Sequence, residues 1–491
     1  MGIAFGRAGM KDRFTRNKTE KTVSHFLLPT RPRDTWYWLS TTADDIRSLY
    51  EDRPVRRQPI YDTIPQNMDA GRPARYRTIP LPLSQCPSLE DIDNFLFHYF
   101  SDTCTIRRSL VNYENPWRSV LLPLCFQSEG LLHIAIAWAA HSLRNQCKGD
   151  DVSRYDQMIL AHKCRSLKYL RNMVSQDSSG QAISLARTRC ERDALLLLVM
   201  FHCLLEIASG SIMEWTYHMK GAVRIMRYYT NGCTRRRQEI FSQEVLELVY
   251  SFFIEKDTFL NTSTASGSEE EEHLDRPQWS TEVPSMFPFL TARGCMKVNP
   301  CMGLSPELLD IISCISEQAR RRRMSDHNSR DISQAFAIIQ HRLIRHKYTP
   351  GTSDESGLME LHSAAFEEAT WIYFHHAIGD QPRQSEVIQR VHLPRLLKTL
   401  EQIHRVHGAL LGFIPYPMWA LFIASCVVLE EDRVKILEFF TVLKHNKPVS
   451  NVPSTMAAVE AIWKRRDFNP EEACTPWTDV ISQLGWKMPF T

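Results

Sequence analysis

The chain has 491 residues, and its 59 Lys and Arg against 56 Asp and Glu leave a formal charge of only +3, which excludes a protein whose whole surface grips nucleic acid. With 43% hydrophobic and 23% charged residues it is an ordinary globular chain, long enough to bury a large core without disulfides or metal staples. Glycine is scarce, at 19 residues, which argues against folds rich in tight hairpins or phosphate-cradling loops.

Residues 1–84 hold fifteen Lys and Arg against nine Asp and Glu, with eight prolines from Pro29 to Pro82. Lacking apolar periodicity, this stretch cannot bury enough surface to fold, so a basic, mostly disordered arm is predicted, with one short helix at 43–50. Such an excess of charge serves first as solvated linker and adds at most loose contacts to nucleic acid. The opening is polar through Lys21, and the patch Phe26, Leu27, Leu28 is too short for a signal-peptide core. Asp12 and Glu20 speak against an Arg-rich organelle leader, so a reducing compartment is expected.

From Ser88 the pattern turns helical. Ser88 with Asp91 resembles a capping box, and Leu89, Ile92, Phe95, Leu96, Tyr99 and Phe100 form one stripe of a helix ending near Asp102. Pro116 and Pro123 break the segment 115–124. A helix at 128–143 is apolar on nearly every face and must be buried on several sides. One at 152–174 should keep Lys163, Arg165, Lys168 and Arg171 mostly wet. The helix at 189–207 contains the longest apolar run, about 14 residues, too short for a hydrocarbon core that needs about 20. Helices at 213–228 and 238–258 follow. The polar stretch 262–288, with the run Glu269, Glu270, Glu271 and Glu272, reads as a long surface loop.

Helices resume with a plain start signal, Ser305 as N-cap, Pro306 at the first helical position and Glu307 behind it. Arg320, Arg321, Arg322 and Arg323 close that helix, where positive charge suits the negative end of the dipole. Further helices are predicted at 331–347, 358–377, 384–407, 417–430, 432–444 and 456–467, with Trp463 packed inward and Lys464, Arg465 and Arg466 left toward solvent. No fixed-period repeat is visible, so the expected fold is all-α, an irregular multi-helix bundle. Its organisation is an arm at 1–84 and a helical body at 85–491.

The thirteen cysteines are scattered, without the close pair that starts a zinc site, and most, like Cys203, sit in apolar helical patterns as small hydrophobes. There is no Walker loop, no nucleophile elbow, no His-Glu-x-x-His and no dinucleotide fingerprint. His133, His202 and His218 lie in buried-looking helices, where a polar neighbour that satisfies the ring is the simplest reading. His375 and His376 are adjacent and project about 100° apart on a helix, too divergent to grip one ion. The catalytic, cofactor and metal assignments are therefore none.

Several blocks nevertheless have a recognisable order: Leu96-Phe97-His98-Tyr99-Phe100, Asn115-Pro116-Trp117-Arg118, Leu121-Leu122-Pro123-Leu124, Leu131 to Ala137, and Trp215 to Ala222 with its Lys220-Gly221-Ala222 step. The C-terminal blocks are the most specific: Trp419 to Cys426, Glu431-Asp432-Arg433, and Val459 to Asp467. Together they resemble the fungal-specific transcription factor domain, the helical regulatory region found beside zinc binuclear cluster DNA-binding modules. That resemblance implies a nuclear transcriptional regulator controlled by protein contact, its helical body receiving a small-molecule effector or a partner signal; the short apolar run already predicts no membrane span. Complete members are expected to carry six closely spaced cysteines ahead of the helical region, whereas the first cysteine here is Cys86. Either that cluster is missing from the gene model, in which case zinc enters as cofactor, or the regulator works without it and meets DNA indirectly.

Arg320 to Arg323, and secondarily Arg235 to Arg237, are candidate nuclear-import runs. Glu269 to Glu272 are a candidate acidic contact for coactivators. The alternatives are a cytosolic helical scaffold tuned by a small ligand, and an enzyme whose helical pocket carries no recognised motif.

Overall fold

The structure is a computed structural model that describes residues 91–490 apart from breaks at 112–114, 148–149, 177–181, 185, 212, 232–239, 264–278, 281, 291–298, 302, 324–328, 347–356, 380–381, 410–414, 447–450 and 469–475. The predicted arm at 1–84, Ser88, Arg235 to Arg237 and Glu269 to Glu272 lie outside the described residues.

Sixteen helices carry the described chain, which is all-α. The first eight are α1 (Asp91–Tyr99), α2 (Leu122–Cys125), α3 (Glu129–Arg144), α4 (Asp150–Met173), α5 (Arg189–Ala208), α6 (Trp215–Thr230), α7 (Gln243–Ser263) and α8 (Glu282–Met286). The second eight are α9 (Pro306–Arg323), α10 (Ser329–Arg345), α11 (Leu358–Ala377), α12 (Leu393–Ala409), α13 (Met418–Val427), α14 (Arg433–Asn446), α15 (Val452–Phe468) and α16 (Trp477–Gln483). The only sheet among the described residues is a short antiparallel pair, β1 (Val174–Gln176) with β2 (Ala182–Ser184), in which Ser175 faces Ile183.

Local chemistry starts these helices where the sequence marks them. The Ser128 hydroxyl accepts from Leu131 N–H at 3.4 Å at the head of α3, and Ser305 does the same for Leu308 at 3.0 Å at the head of α9. Thr188 and Glu191 close a reciprocal capping box on α5.

The core forms two large apolar clusters, one built by α1 to α8 and one by α9 to α16. Helix α7 belongs to both. Val245, Leu246, Val249, Phe253 and Leu260 enter the first cluster, while Phe259 enters the second and stacks on Trp419 and Phe366 with ring centres 5.0 and 5.8 Å away. Near its end, Thr262 accepts the Trp419 indole N–H on its hydroxyl at 2.8 Å and the Trp477 indole N–H on its carbonyl at 3.0 Å.

Four expectations are corrected. First, 115–124 is not broken by its prolines. A π-helical turn at Trp117–Leu121 leads straight into α2, and another at Val387–His392 leads into α12, each ending two residues before a proline, Pro123 or Pro394. The wide turn shifts the carbonyl that a proline ring four residues on would strike, so the helix continues. Second, 262–288 is not all surface loop: Thr262 and Ser263 are buried in α7, and Trp279, Val283 and Phe287 are fully buried in the first core. Third, Lys163 is largely covered, because it pairs with buried Glu206 at 2.7 Å. Fourth, Arg466 is buried, at 6% exposure, rather than solvated. Helix α16 has no counterpart among the predicted elements.

Candidate functional site, a buried charged cluster beside two tryptophans

Glu255, Lys256 and Asp257 are consecutive on α7, whose other positions are mainly apolar. Three successive residues sweep about 200° around a helix, so in an element packed on all sides they cannot all reach water. All three are buried, with Lys256 only 1% exposed. Its ammonium donates to Glu255 Oε1 at 2.6 Å and lies 4.9 Å from the centre of the Phe252 ring. Burial pulls the Lys256 ammonium below its usual range, and Glu255 opposes that pull.

Beside this pair stands Arg108, at the end of the 3-10 turn Ile106–Arg108 that follows α1. Its guanidinium carbon lies 5.2 Å from the centre of the Trp117 ring and 5.6 Å from that of Trp138, both rings being buried. Among the described residues it meets these two indole faces, and no side chain or carbonyl accepts a hydrogen bond from it. Desolvation lowers its pKa, and the nearby Cys301, Glu255 and Cys104 act against that shift. Burial pushes the Cys104 thiol up to about 12 and the Cys301 thiol up to about 11, so both stay protonated near neutrality. Arg108 and Cys301 nevertheless keep part of their accessible surface while Trp117, Trp138, Glu255 and Lys256 around them are closed off. Sequence reasoning missed this cluster. Its one legible signal was three adjacent charges inside an apolar helical window.

A second polar seam ties α1, α3 and α4 together. His162 Nε2 meets Asp93 Oδ1 at 3.1 Å, its Nδ1 meets His133 Nδ1 at 3.0 Å, and His133 Nε2 lies 3.5 Å from Glu129. Burial raises the Asp93 carboxyl, but the His162 hydrogen bond and charge outweigh it and leave the pKa below the usual range. One turn further along α4, Ser166 bonds His202 Nε2 at 3.0 Å, and the His202 ring stacks on that of His218. His133 and His202 thus have the polar neighbours expected of them. His376 stacks on Trp477, while His375 lies against Trp371 and His392. Among the described residues no three His, Cys, Asp or Glu side chains are placed to hold a metal ion, and no described helix is long and apolar enough to cross a membrane.

The C-terminal blocks noted in the sequence are one physical unit. Every residue of α13 is buried, so the carbonyls at its end need donors from elsewhere. Trp463 Nε1 donates to the Ser425 carbonyl at 2.8 Å, Arg466 to that of Cys426, and Gln389 to that of Val427 at 2.8 Å. Arg433 then grips Asp467 with both terminal nitrogens, at 2.7 and 2.9 Å, and covers the Trp463 ring.

The four arginines ending α9 are tied inward to different degrees. Arg320 and Arg321 both pair with Glu317, at 2.7 Å each. Arg322 donates to the Ile378 carbonyl just past α11 at 2.7 Å, and Arg323 to the Thr478 hydroxyl of α16 at 2.9 Å.

This geometry is that of a helical body in which polar side chains hold packed helices and, among the described residues, the partly exposed Arg108 guanidinium faces two indole rings and finds no side-chain acceptor. The family model for the fungal specific transcription factor domain matches residues 94–491. The chain belongs to this family. No curated protein and no solved structure matches it. Within a fungal specific transcription factor domain the Trp463 and Arg466 contacts explain why the block 459–467 pairs its tryptophan with basic residues: they cap α13 from the side. The family is one of transcription factor domains and not a family of enzymes.

Proposed function

We propose that this chain is a nuclear transcriptional regulator whose helical body, 85–491, acts through protein partners, with 1–84 as a separate basic arm. The observation that carries this reading is the family match across the whole described body. Supporting it, the C-terminal blocks serve cohesion, as expected of a body that works by docking and not by bond-making. DNA contact would be indirect unless a six-cysteine zinc module accompanies the chain. Arg320 to Arg323 are the proposed import signal and Glu269 to Glu272 the proposed acidic contact. A small-molecule effector would act on the body.

The test is chromatin immunoprecipitation of the tagged full chain with imaging of its location. Nuclear signal with enrichment at promoters, lost when a DNA-binding partner is deleted, is the expected result. An exclusively cytosolic protein would overturn the reading in favour of a scaffold. For import, Arg320→Ala with Arg321→Ala removes the ion pairs to Glu317 in the same helix, and should shift the protein toward the cytosol without lowering its abundance.

A further inference from the structure

We infer that the cluster at Arg108 is the binding site for a small aliphatic carboxylate. The inference deepens the effector reading above and rests on it only for the link to transcription, since binding is measured on the purified chain and regulation at a promoter.

Charge accounting singles out one group. Lys256 and Glu255 neutralise each other at 2.6 Å, and Asp257 and Arg107, the other charged residues adjoining them in sequence, have interactions of their own. Among the described residues Arg108 remains with its positive charge facing two indole rings and no hydrogen-bond acceptor. Ring faces lower the energy of a cation but leave its N–H edges unused. Those edges form a planar fork that matches a carboxylate, with two parallel hydrogen bonds. The accessible surface that Arg108 and Cys301 retain, beside the closed-off Trp117, Trp138, Glu255 and Lys256, is where such a group would sit.

The rest of the lining sets the ligand class. Cys104, Cys301 and Phe252 offer soft, apolar contact, and both thiols stay protonated, so they neither repel an anion nor attack it. A single uncompensated cation beside the Glu255 carboxylate balances one negative charge better than the two of a phosphate. A short monocarboxylate with an aliphatic tail meets both requirements.

Isothermal titration of the full chain with acetate, butyrate and hexanoate, set against hexanol and inorganic phosphate, tests this. The expected result is saturable binding that strengthens with tail length, absent for hexanol and weaker for phosphate, and reduced at least tenfold by Arg108→Gln. Equal binding of hexanol, tighter binding of phosphate, no binding of any acid, or an unchanged affinity in Arg108→Gln would each overturn it. Should Arg108→Gln fail to fold, native mass spectrometry of the unmodified chain with hexanoate against hexanol decides between the same outcomes.

Discussion

Single residues in this molecule matter most where a polar group has been taken out of water and given one partner. Lys256→Met takes from buried Glu255 its hydrogen-bonded partner and leaves only Arg108 nearby to offset its charge, and urea unfolding should show a loss of about 3 kcal/mol. Adding Glu255→Gln should recover much of that loss, because a pair replaced together leaves no lone charge. If Lys256→Met alone is neutral, the pair is not sealed from solvent. Arg466→Ala strands the Cys426 carbonyl at the buried end of α13 and should cost about 1–3 kcal/mol in the same assay. Neither role was legible in the sequence. Arg466 stands in a Lys-Arg-Arg run whose plain reading is a solvated face, and only the position of α13 behind it gives the run an inward member. Ser305, by contrast, was fully legible, since an N-cap hydroxyl acts within one helical turn of its own chain.

Whole elements are set by how closely they approach. Helices α3 and α4 cross at Gly130, whose carbonyl accepts from the Ser166 hydroxyl at 2.9 Å. A methyl group at Gly130 would lie 2.5 Å from Tyr169 Cδ1, so Gly130→Ala should destabilise by about 1–3 kcal/mol in thermal or urea unfolding through overpacking. A neutral effect would mean that the crossing can widen. Helix existence followed readily from apolar spacing because most of these segments are long. The ends did not. The π-helical turns before Pro123 and Pro394 let helices run through residues that normally stop them, and α16 is too short to show a period of its own. Tertiary contact also extends α7 past the predicted 258 to Ser263, through the polar residues Asn261, Thr262 and Ser263. Thr262 and Ser263 read as loop until Trp419 and Trp477 are seen to bond Thr262.

For the molecule as a whole, buried histidines dictate the response to acid. Burial lowers the pKa of His133, His202 and His404, takes His141 and His375 down to about 4, and takes His218 down to about 3. Unfolded histidines titrate near about 6.5, so below that pH the unfolded chain binds protons that the folded one refuses. Stability from these groups is complete above about pH 6.5 and declines as the pH falls toward 4. Asp93, Glu317 and Asp467 have lowered pKa values and add a further loss below about pH 4, while Asp193, raised by burial, works in the opposite direction. Calorimetry from pH 7.5 to 4 should show a melting temperature that is steady at first and then falls from about pH 6.5. A flat profile down to pH 5 would mean that the rings are not held neutral.

Because α7 supplies Phe259 and Thr262 to the half of the molecule that follows it in sequence, the chain resists division at the point where its polar composition most invites it. A protease cut within 264–278 would leave the downstream piece without the ring that stacks on Trp419 and without the hydroxyl and carbonyl that hold two indoles. The severed pieces would then travel together as a nicked complex, and separate expression of the two halves would yield soluble material only on mixing.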